Sequence, residues 1–129
     1  MLLLDVDGMK AINDTHGHLQ GNRALCRVAA AIRQCCRSVD TTARFGGDEF
    51  AIVLPETTSR AAWRLAVRIF NALEQDHEDP KLSVSLGCAT YPTDAQTSET
   101  LLQAADKELY EMKHGRQLQL FVSGQFPTP

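Results

Sequence analysis

Two short apolar segments on either side of Gly46 and Gly47 constrain the fold of this chain most strongly. Residues 42–45 and 50–54 have the composition of β-strands, and paired glycines between two such segments favour a hairpin. Pro55 has no backbone N–H to donate to a sheet, so it ends the second strand. Strands joined this closely are antiparallel, and the sheet that contains them is therefore at least partly antiparallel.

The strongest helical pattern occupies residues 21–37, where apolar side chains recur at the spacing of one helix face. These side chains are Leu25, Val28, Ala29, Ile32, Cys35 or Cys36, and Val39. Residues 7–22, which lead into this helix, mix Gly, Asn, Asp and His. We predict a turn there that contains about one turn of helix.

The rest of the chain alternates strands and helices. We predict strands over residues 2–6, 82–90 and 118–122 and helices over residues 59–75 and 98–114. Thr58 or Ser59 can cap the first of these helices, and Gly115 follows the second as a C′ glycine. The first of them has an apolar face formed by Ala62, Leu65, Ala66, Ile69 and Leu73. The order β-α-β-β-α-β-α-β predicts an α/β (α+β) sandwich with a ferredoxin-like core, in which helices surround a mixed, mostly antiparallel sheet.

Composition and charge are those of a soluble globular protein. The 129 residues suit one domain, with 43% hydrophobic and 22% charged residues. The net charge of −3 argues against non-specific nucleic-acid binding, and no apolar run approaches the roughly 20 residues of a membrane span. The four cysteines lack metal-site spacing, so we predict buried or half-buried thiols in a reducing cytoplasm. They are Cys26, Cys35, Cys36 and Cys88.

Carboxylates occur at two points that the predicted sheet brings together. Asp5 and Asp7 lie at the end of the first strand, and Asp48 and Glu49 lie at the hairpin. The first strand and the hairpin can be neighbours in a split βαβ sheet, which brings Asp5 close to Asp48. Oxygen ligands without histidine or thiolate suit Mg²⁺.

Residues just after the first strand suit a ligand that carries phosphate. Gly8 lets a nucleotide approach backbone N–H groups, and Lys10 can add positive charge. Together with the carboxylates, they predict a palm-type nucleotidyl-transfer site, where metal ions align a hydroxyl and stabilise departing pyrophosphate.

Five segments resemble, in order and spacing, the GGDEF domain of diguanylate cyclases. They are DVDGMKAINDTHGHLQGN, RSVD, RFGGDEFAIVLP, VSLGCATYP and AADKELYEMKHGR. The resemblance covers residues 2 to about 122 and leaves residues 123–129 as a flexible tail. It implies a nucleotidyl-cyclase-like fold, a Mg²⁺ or Mn²⁺ cofactor, and a homodimer that condenses two GTP into cyclic di-GMP with release of pyrophosphate.

The resemblance implies a role for each matching residue. The metal-binding and catalytic residues would be Asp5, Val6 through its carbonyl, Asp48, Glu49, Lys10 and Lys113. Glu49 would bind metal or deprotonate the 3′-hydroxyl, and the lysines would meet phosphate. The substrate-binding residues would be Gly8, Met9, Asn13, Asn22, Gly46 and Gly47. Among these, Asn13 would read the guanine edge.

The resemblance also implies an inhibitory product site. Arg37 and Asp40 match its RxxD motif, and the five residues TTARF separate Asp40 from the glycines. Arg68 resembles the distal arginine that often joins this site. Simpler interpretations remain open, since Arg37 also suits the C-terminus of a helix and Arg68 also fits a solvated helix face.

Two departures from the family pattern leave alternatives open. The usual helix before the first strand is absent, so we expect an N-terminally truncated domain that follows a sensory module in the full-length protein. Asn22 stands where the family has an aspartate that accepts two hydrogen bonds from guanine. An amide offers one acceptor and one donor, which suits adenine. The alternatives are relaxed purine selection, a catalytically weak or inactive receptor that binds cyclic di-GMP, and a fold-only relative that catalyses another nucleotidyl transfer.

Overall fold

Four strands form one sheet in the computed structural model, which describes residues 1–115, and four helices pack against the sheet. The elements are β1 (Leu2–Val6), α1 (Met9–His16), α2 (His18–Cys35), β2 (Thr41–Arg44), β3 (Glu49–Val53), α3 (Ser59–Glu74), β4 (Val84–Cys88) and α4 (Ser98–Lys113). The predicted strand over residues 118–122 lies outside the described residues. No helix within residues 1–115 is long and apolar enough to cross a bilayer.

The strand order is β2-β3-β1-β4, and each neighbouring pair is antiparallel. This is the predicted split βαβ arrangement, because β1 lies between β3 and β4 and pairs with both. Leu4 stands opposite Phe50 on one side and Leu86 on the other. The described sheet is wholly antiparallel rather than mixed, and its pairing places the end of β1 beside the start of β3.

Strand β1 is buried along its whole length. Leu2, Leu4 and Val6 belong to a core shared with α1, α2 and α3, whereas Leu3 packs with Ala105 of α4. Side chains alternate across a strand, so these two sets lie on opposite faces of the sheet. The described helices therefore supply the cover on both faces that so apolar a strand requires.

The close packing of α4 on β4 depends on Gly87. A Cβ atom at this position would lie 2.0 Å from the carbonyl oxygen of Ala105 and 2.5 Å from the backbone nitrogen of Leu109. These distances are far below van der Waals contact, so any larger residue would push α4 away from the sheet.

The segment before the main helix is more helical than predicted. Helices α1 and α2 occupy most of residues 7–22, and α2 begins at His18 rather than at residue 21. The predicted turn is therefore wrong, and the element order contains one extra helix. A helix as short as α1 is marginal by itself. Burial of Met9 and Ile12 in the core stabilises it although its polar composition favours a turn.

Two predicted burials are also wrong. Val39 is 60% exposed, because α2 ends at Cys35 and Cys36 already has an extended backbone. Cys26 is exposed on the solvent side of α2, whereas Cys35 and Cys36 are half-buried and Cys88 is buried, as predicted.

The remaining boundaries are close to those predicted. Each hairpin strand starts and ends one residue earlier than expected. Thr58 caps α3 by accepting a hydrogen bond from the Ala61 amide at 3.2 Å, and the predicted apolar face of that helix is buried. Thr97 caps α4 through a capping box, and Gly115, with φ of 85°, follows this helix as predicted.

Candidate functional site

The end of β1 opens into a cleft of about 400 Å³ between α1, α2 and the β2–β3 hairpin. The lining residues are Met9, Lys10, Asn13, Asp14, His18, Asn22, Leu25, Arg44, Gly47 and Asp48. Six of them were predicted to bind substrate, phosphate or metal: Met9, Lys10, Asn13, Asn22, Gly47 and Asp48. The fold thus brings predicted site residues from three separate parts of the chain to one space.

Gly8 lies where β1 turns into α1, directly before Met9, which lines this cleft. Its φ of 67° is in the left-handed region that favours glycine, and no atom lies within 4 Å of where its Cβ would be. The first amides of α1 have no acceptor inside the helix, and the positive end of the helix dipole lies there. This end of α1, beside Lys10, is therefore suited to a negatively charged group.

Asn13 of α1 is packed against Gly21 of α2. A Cβ atom at Gly21 would lie 1.8 Å from the Oδ1 atom of Asn13, so glycine is what leaves room for this amide. Asn22, the next residue of α2, lines the same cleft. Two amide side chains, one from each helix, thus border the space in which a planar polar ligand could be read by hydrogen bonds.

The predicted neighbourhood of Asp5 and Asp48 is confirmed by the strand pairing. The Val6 amide donates to the Asp48 carbonyl oxygen at 3.0 Å, and Asp5 stands opposite Glu49. Asp48 lines the cleft, whereas Glu49 lines a different groove, between the sheet and Leu102 of α4. The Glu49 carboxylate lies close to Gly46, where a Cβ atom would be 2.6 Å from its Oε2 atom. The two adjacent acids of the hairpin therefore line different grooves, one on each side of the hairpin.

Lys113, the last residue of α4, reaches Asp5 across the end of the sheet. Its Nζ atom lies 2.8 Å from Asp5 Oδ2. Asp5 is only 7% exposed, and this burial raises the pKa of its carboxyl in spite of the lysine; the charges of Asp48 and Asp7 raise it further. Burial disfavours the charge of Lys113, but the hydrogen bond to Asp5 and the nearby carboxylates outweigh it and raise its pKa. The carboxylates at this end of the sheet therefore stabilise the positive charge of Lys113.

The donor atoms at this end of the sheet are hard oxygens. Within residues 1–115, no three His, Cys, Asp or Glu side chains lie close enough together to hold a metal ion by themselves. Asp5 and Asp48 nevertheless interact, and a cation already lies on Asp5. Such a pair suits a divalent cation that takes its other oxygens from a phosphate ligand and water.

Asp7 has a structural role in the described molecule. Its carboxylate accepts hydrogen bonds from Ser83 Oγ at 2.8 Å and from Ser85 Oγ at 2.7 Å. Its amide also donates to the carbonyl oxygen of Ser83 at 2.9 Å. Asp7 therefore ties the end of β1 to β4.

Arg44 is a site residue that the sequence interpretation missed. Its guanidinium donates to the carbonyl oxygens of Gly46 and Gly47, with Nε at 3.2 Å and 3.1 Å, and the residue lines the cleft. The available signal was its position two residues before the glycines, within reach of the turn that they form. Arg44 fixes the hairpin turn next to Asp48.

The three predicted product-site residues come together at the end of α2. Arg37 Nη2 lies 2.8 Å from Asp40 Oδ1, and the Arg37 amide donates to Asp40 Oδ2 at 2.7 Å. The hydrogen bond from the guanidinium lowers the pKa of the Asp40 carboxyl. Arg68 of α3 donates to the Cys35 carbonyl oxygen, and its charge also acts on Asp40.

The family model described as "Diguanylate cyclase, GGDEF domain" matches residues 1–119 of the chain. Diguanylate cyclase A of Treponema denticola is 38% identical over 118 residues, which cover 88% of this chain and 32% of that protein. Diguanylate cyclase DosC of Escherichia coli K12 is 40% identical over 119 residues, which cover 88% of this chain and 26% of that protein. The chain thus spans about a third or less of the length of these relatives.

Two solved structures show the same architecture. The GGDEF domain of YfiN (TpbB) from Pseudomonas aeruginosa matches with a TM-score of 0.81 and 36% identity, over 88% of this chain and 75% of that one. The GGDEF domain of DgcB from Caulobacter crescentus, solved in complex with c-di-GMP, matches with a TM-score of 0.77 and 26% identity, over 89% of this chain and 72% of that one. These matches confirm the palm-type, nucleotidyl-cyclase-like α+β fold. The chain belongs to the GGDEF domain family of diguanylate cyclases.

Proposed function

We propose that this chain is the catalytic domain of a diguanylate cyclase, which condenses two GTP into cyclic di-GMP. The observation that carries the proposal is the cleft where Lys10, Asn13 and Asp48 meet, next to the Asp5–Lys113 pair. Groups suited to a base, to phosphates and to a cation border one space.

Different residues of the cleft bind different parts of the nucleotide. Asn13 and Asn22 bind the edge of the base, and Lys10 at the positive end of α1 binds phosphate. Gly47 leaves open space at the hairpin, because no atom lies within 4 Å of the position of a Cβ there. Lys113 exchanges its contact with Asp5 for a phosphate oxygen when substrate arrives.

We assign a Mg²⁺ or Mn²⁺ site to Asp5, Asp48 and the carbonyl of Val6, with Glu49 as a further acid. When bound, the metal supplies positive charge that stabilises the phosphoryl groups and the departing pyrophosphate. The support is the set of oxygen donors and the ammonium that already lies 2.8 Å from Asp5.

The reaction requires two copies of the chain, and we propose a homodimer in which each protomer holds one GTP. Each 3′-hydroxyl oxygen forms a bond to the α-phosphorus of the other GTP, and the bond from that phosphorus to the β-phosphate bridging oxygen breaks. Two pyrophosphates leave, and each hydroxyl loses its proton to a base, for which we propose Glu49. A two-fold arrangement makes both half-reactions identical.

We further propose that Arg37, Asp40 and Arg68 bind cyclic di-GMP and lower turnover as product accumulates. The support is their convergence at the end of α2. The exposed guanidinium of Arg37 offers donors to the acceptor atoms of a guanine base, and Asp40, whose side chain is only 2% exposed, holds that guanidinium.

The experiment that tests the enzyme assignment is incubation of the purified chain with Mg²⁺ and GTP, over a range of protein concentrations that favours dimers, with identification of the product by mass. We expect cyclic di-GMP and pyrophosphate in a ratio of one to two. Asp48→Asn should abolish the product, while Asp79→Asn, at an exposed acid of the loop before β4, should not. Absence of any cyclic dinucleotide at all concentrations would contradict the assignment.

A receptor without turnover is the second candidate. The observation that favours it is the preformed Arg37–Asp40 pair, which needs no catalysis to bind a ligand. In this case the chain would bind cyclic di-GMP in a calorimetric titration, Arg37→Ala would remove the binding, and GTP with Mg²⁺ would yield no product.

Relaxed purine selection is a variant of the enzyme assignment, and Asn22 in the cleft favours it. An amide has one acceptor oxygen and one donor nitrogen, so unlike a carboxylate it cannot set an acceptor atom opposite each of two guanine N–H groups, whereas its donor and acceptor together match adenine. Turnover of GTP alone, ATP alone and their mixture should show some use of ATP in the unmodified chain. Asn22→Asp should shift the preference towards GTP, and strict GTP specificity of the unmodified chain would contradict this proposal.

We also place the domain in the bacterial cytoplasm, where GTP is available, and downstream of a sensory module in the full-length protein. The relatives named above contain more than twice as many residues outside the matched region as within it, which leaves room for such a module.

A further inference from the structure

Arg37 is held by the loop between β3 and α3 as well as by Asp40. Its Nη2 atom donates to the hydroxyl oxygen of Thr57 at 2.9 Å and to the carbonyl oxygen of Pro55 at 3.2 Å. The Thr57 hydroxyl donates in turn to that carbonyl oxygen at 2.8 Å. Thr57 therefore accepts a hydrogen bond from the arginine and donates one to the backbone, which fixes the rotation of its hydroxyl group.

These contacts set the orientation of the guanidinium. Nε lies 3.2 Å and 3.3 Å from the two carboxylate oxygens of Asp40, and Nη2 faces Asp40, Thr57 and Pro55. Within residues 1–115, Nη1 of Arg37 makes no hydrogen bond, and the side chain is 53% exposed. One edge of the guanidinium is thus bound to the protein, and the donors on the other edge remain available.

The loop that carries Thr57 has an unusual backbone conformation next to this residue. Glu56, between Pro55 and Thr57, has φ of 48°, in the left-handed region that non-glycine residues rarely adopt. Immediately after this loop comes α3, whose Arg68 donates to the Cys35 carbonyl oxygen at the end of α2. The loop and α3 therefore hold the end of α2 at two points, and Thr57 is the side-chain acceptor at one of them.

We propose that Thr57 is a positioning residue of the product site, and that its hydroxyl holds the Arg37 guanidinium in the orientation that receives cyclic di-GMP. The inference rests on the proposed role of Arg37 and Asp40 in product binding. A long, exposed arginine loses rotamer freedom when it binds a ligand, and an arginine already fixed by the protein loses less. Thr57 therefore increases the affinity for product without touching it.

The test is a calorimetric titration of the chain of residues 1–129 with cyclic di-GMP. Thr57→Val has nearly the same shape as threonine but cannot accept the hydrogen bond from Arg37. We expect it to weaken binding by about three- to tenfold, the size of the entropic cost of immobilising one long side chain on binding. Thr57→Ser keeps the hydroxyl and should restore the affinity to within about twofold of the original.

Two controls separate this role from a general effect on the fold. Thr93→Val makes the same substitution at an exposed threonine of the loop between β4 and α4 and should leave the affinity unchanged. Arg37→Ala should abolish binding, and Thr57→Val in that background should have no further effect on the shift in melting temperature that cyclic di-GMP causes.

The outcomes are distinct. Unchanged or tighter binding by Thr57→Val, with binding still lost in Arg37→Ala, would overturn the positioning role and leave the proposed product site intact. Failure of the unmodified chain to bind cyclic di-GMP at all would overturn both. Equal weakening by Thr57→Val and Thr57→Ser would show that the hydroxyl is not the responsible group.

Discussion

The ammonium of Lys113 lies 2.8 Å from the buried carboxylate of Asp5, so the end of α4 neutralises a charge on the central strand. The pKa of Asp5 is raised because burial disfavours its charged form more than the hydrogen bond and charge of Lys113 favour that form. Because a native pKa above the ordinary 3.8 means tighter proton binding in the folded state, Asp5 stabilises the fold at low pH. This contribution is lost as the pH rises through its native pKa.

Lys113→Met should therefore destabilise the chain at pH 7 by about 1–2 kcal/mol, below the range for fully buried pairs because Lys113 is partly exposed. The loss should shrink as the pH falls and Asp5 is protonated. Urea unfolding of Lys113→Met, Asp5→Asn and the double variant measures the coupling free energy between the two residues. Additive effects at pH 7 would show that the ion pair does not stabilise the fold.

Gly21→Ala should weaken nucleotide binding with little effect on folding. The new Cβ would collide with the end of the Asn13 side chain, which can rotate away, and alanine favours a helix over glycine. We expect the affinity for a GTP analogue to fall about tenfold, as when one hydrogen bond to the base is lost. The same substitution in an Asn13→Ala background should have no further effect, and an independent tenfold loss there would contradict this explanation.

Gly87→Ala should instead destabilise the fold. Its Cβ would meet backbone atoms of α4, which cannot rotate away, so we expect a loss of about 2 kcal/mol or more in the free energy of unfolding. Gly47→Ala is the matched control, because no atom lies within 4 Å of the position of its Cβ. Equal stability of the two variants in chemical denaturation would show that α4 does not pack on β4 as described.

Glu108→Gln should stabilise the chain at neutral pH. Burial raises the pKa of this carboxyl, which accepts a hydrogen bond from the Cys88 amide at 3.0 Å. Its stabilising contribution is therefore greatest below the ordinary pKa of 4.5 and is lost as the pH rises through the native value. A neutral amide keeps an acceptor oxygen and avoids this loss; we expect a gain of less than about 1 kcal/mol at pH 7, because the group is partly exposed.

Glu99→Gln, in the first turn of the same helix, provides a control of opposite sign. Hydrogen bonds from its own amide and from the Ser98 and Thr97 side chains lower the pKa of Glu99, so its contribution is present above 4.5 and lost as the pH falls. The amide variant should be less stable than the original at pH 7 and equal to it at low pH. Thermal unfolding from well below pH 4 up to pH 8 should therefore show opposite changes in stability for the two variants near neutral pH, and a loss of the Glu99→Gln effect at the acid end.

The parts of the fold that sequence reasoning predicted are those with local signals. The hairpin follows from Gly46, Gly47 and Pro55, and the helical spacing of apolar residues marks α3. The neighbourhood of Asp5 and Asp48 follows from topology, because a split βαβ sheet permits few positions for its first strand. These features depend on patterns within short segments or on rules that hold for most sheets.

Most of the parts that were missed depend on contacts between distant residues. Helix α1 has a turn-like composition and forms because Met9 and Ile12 reach a core made by other elements. The contact of Lys113 with Asp5 and that of Thr57 with Arg37 join segments far apart in the chain. Val39 continues the helical spacing beyond the point where the backbone leaves the helix. No periodicity within one segment could indicate these contacts.

In the proposed enzyme, the cleft at the end of β1 holds the purine nucleotide. A co-crystal structure with a non-hydrolysable GTP analogue and Mg²⁺ tests it most directly. We predict the base between Asn13 and Asn22, and the triphosphate at the hairpin near Lys10 and Asp48, with Lys113 moved from Asp5 to a phosphate oxygen. A nucleotide bound elsewhere, for example in the groove between α3 and β4 that Asn71, Ser83 and Ser85 line, with the cleft and the Lys113–Asp5 contact unchanged, would contradict this assignment.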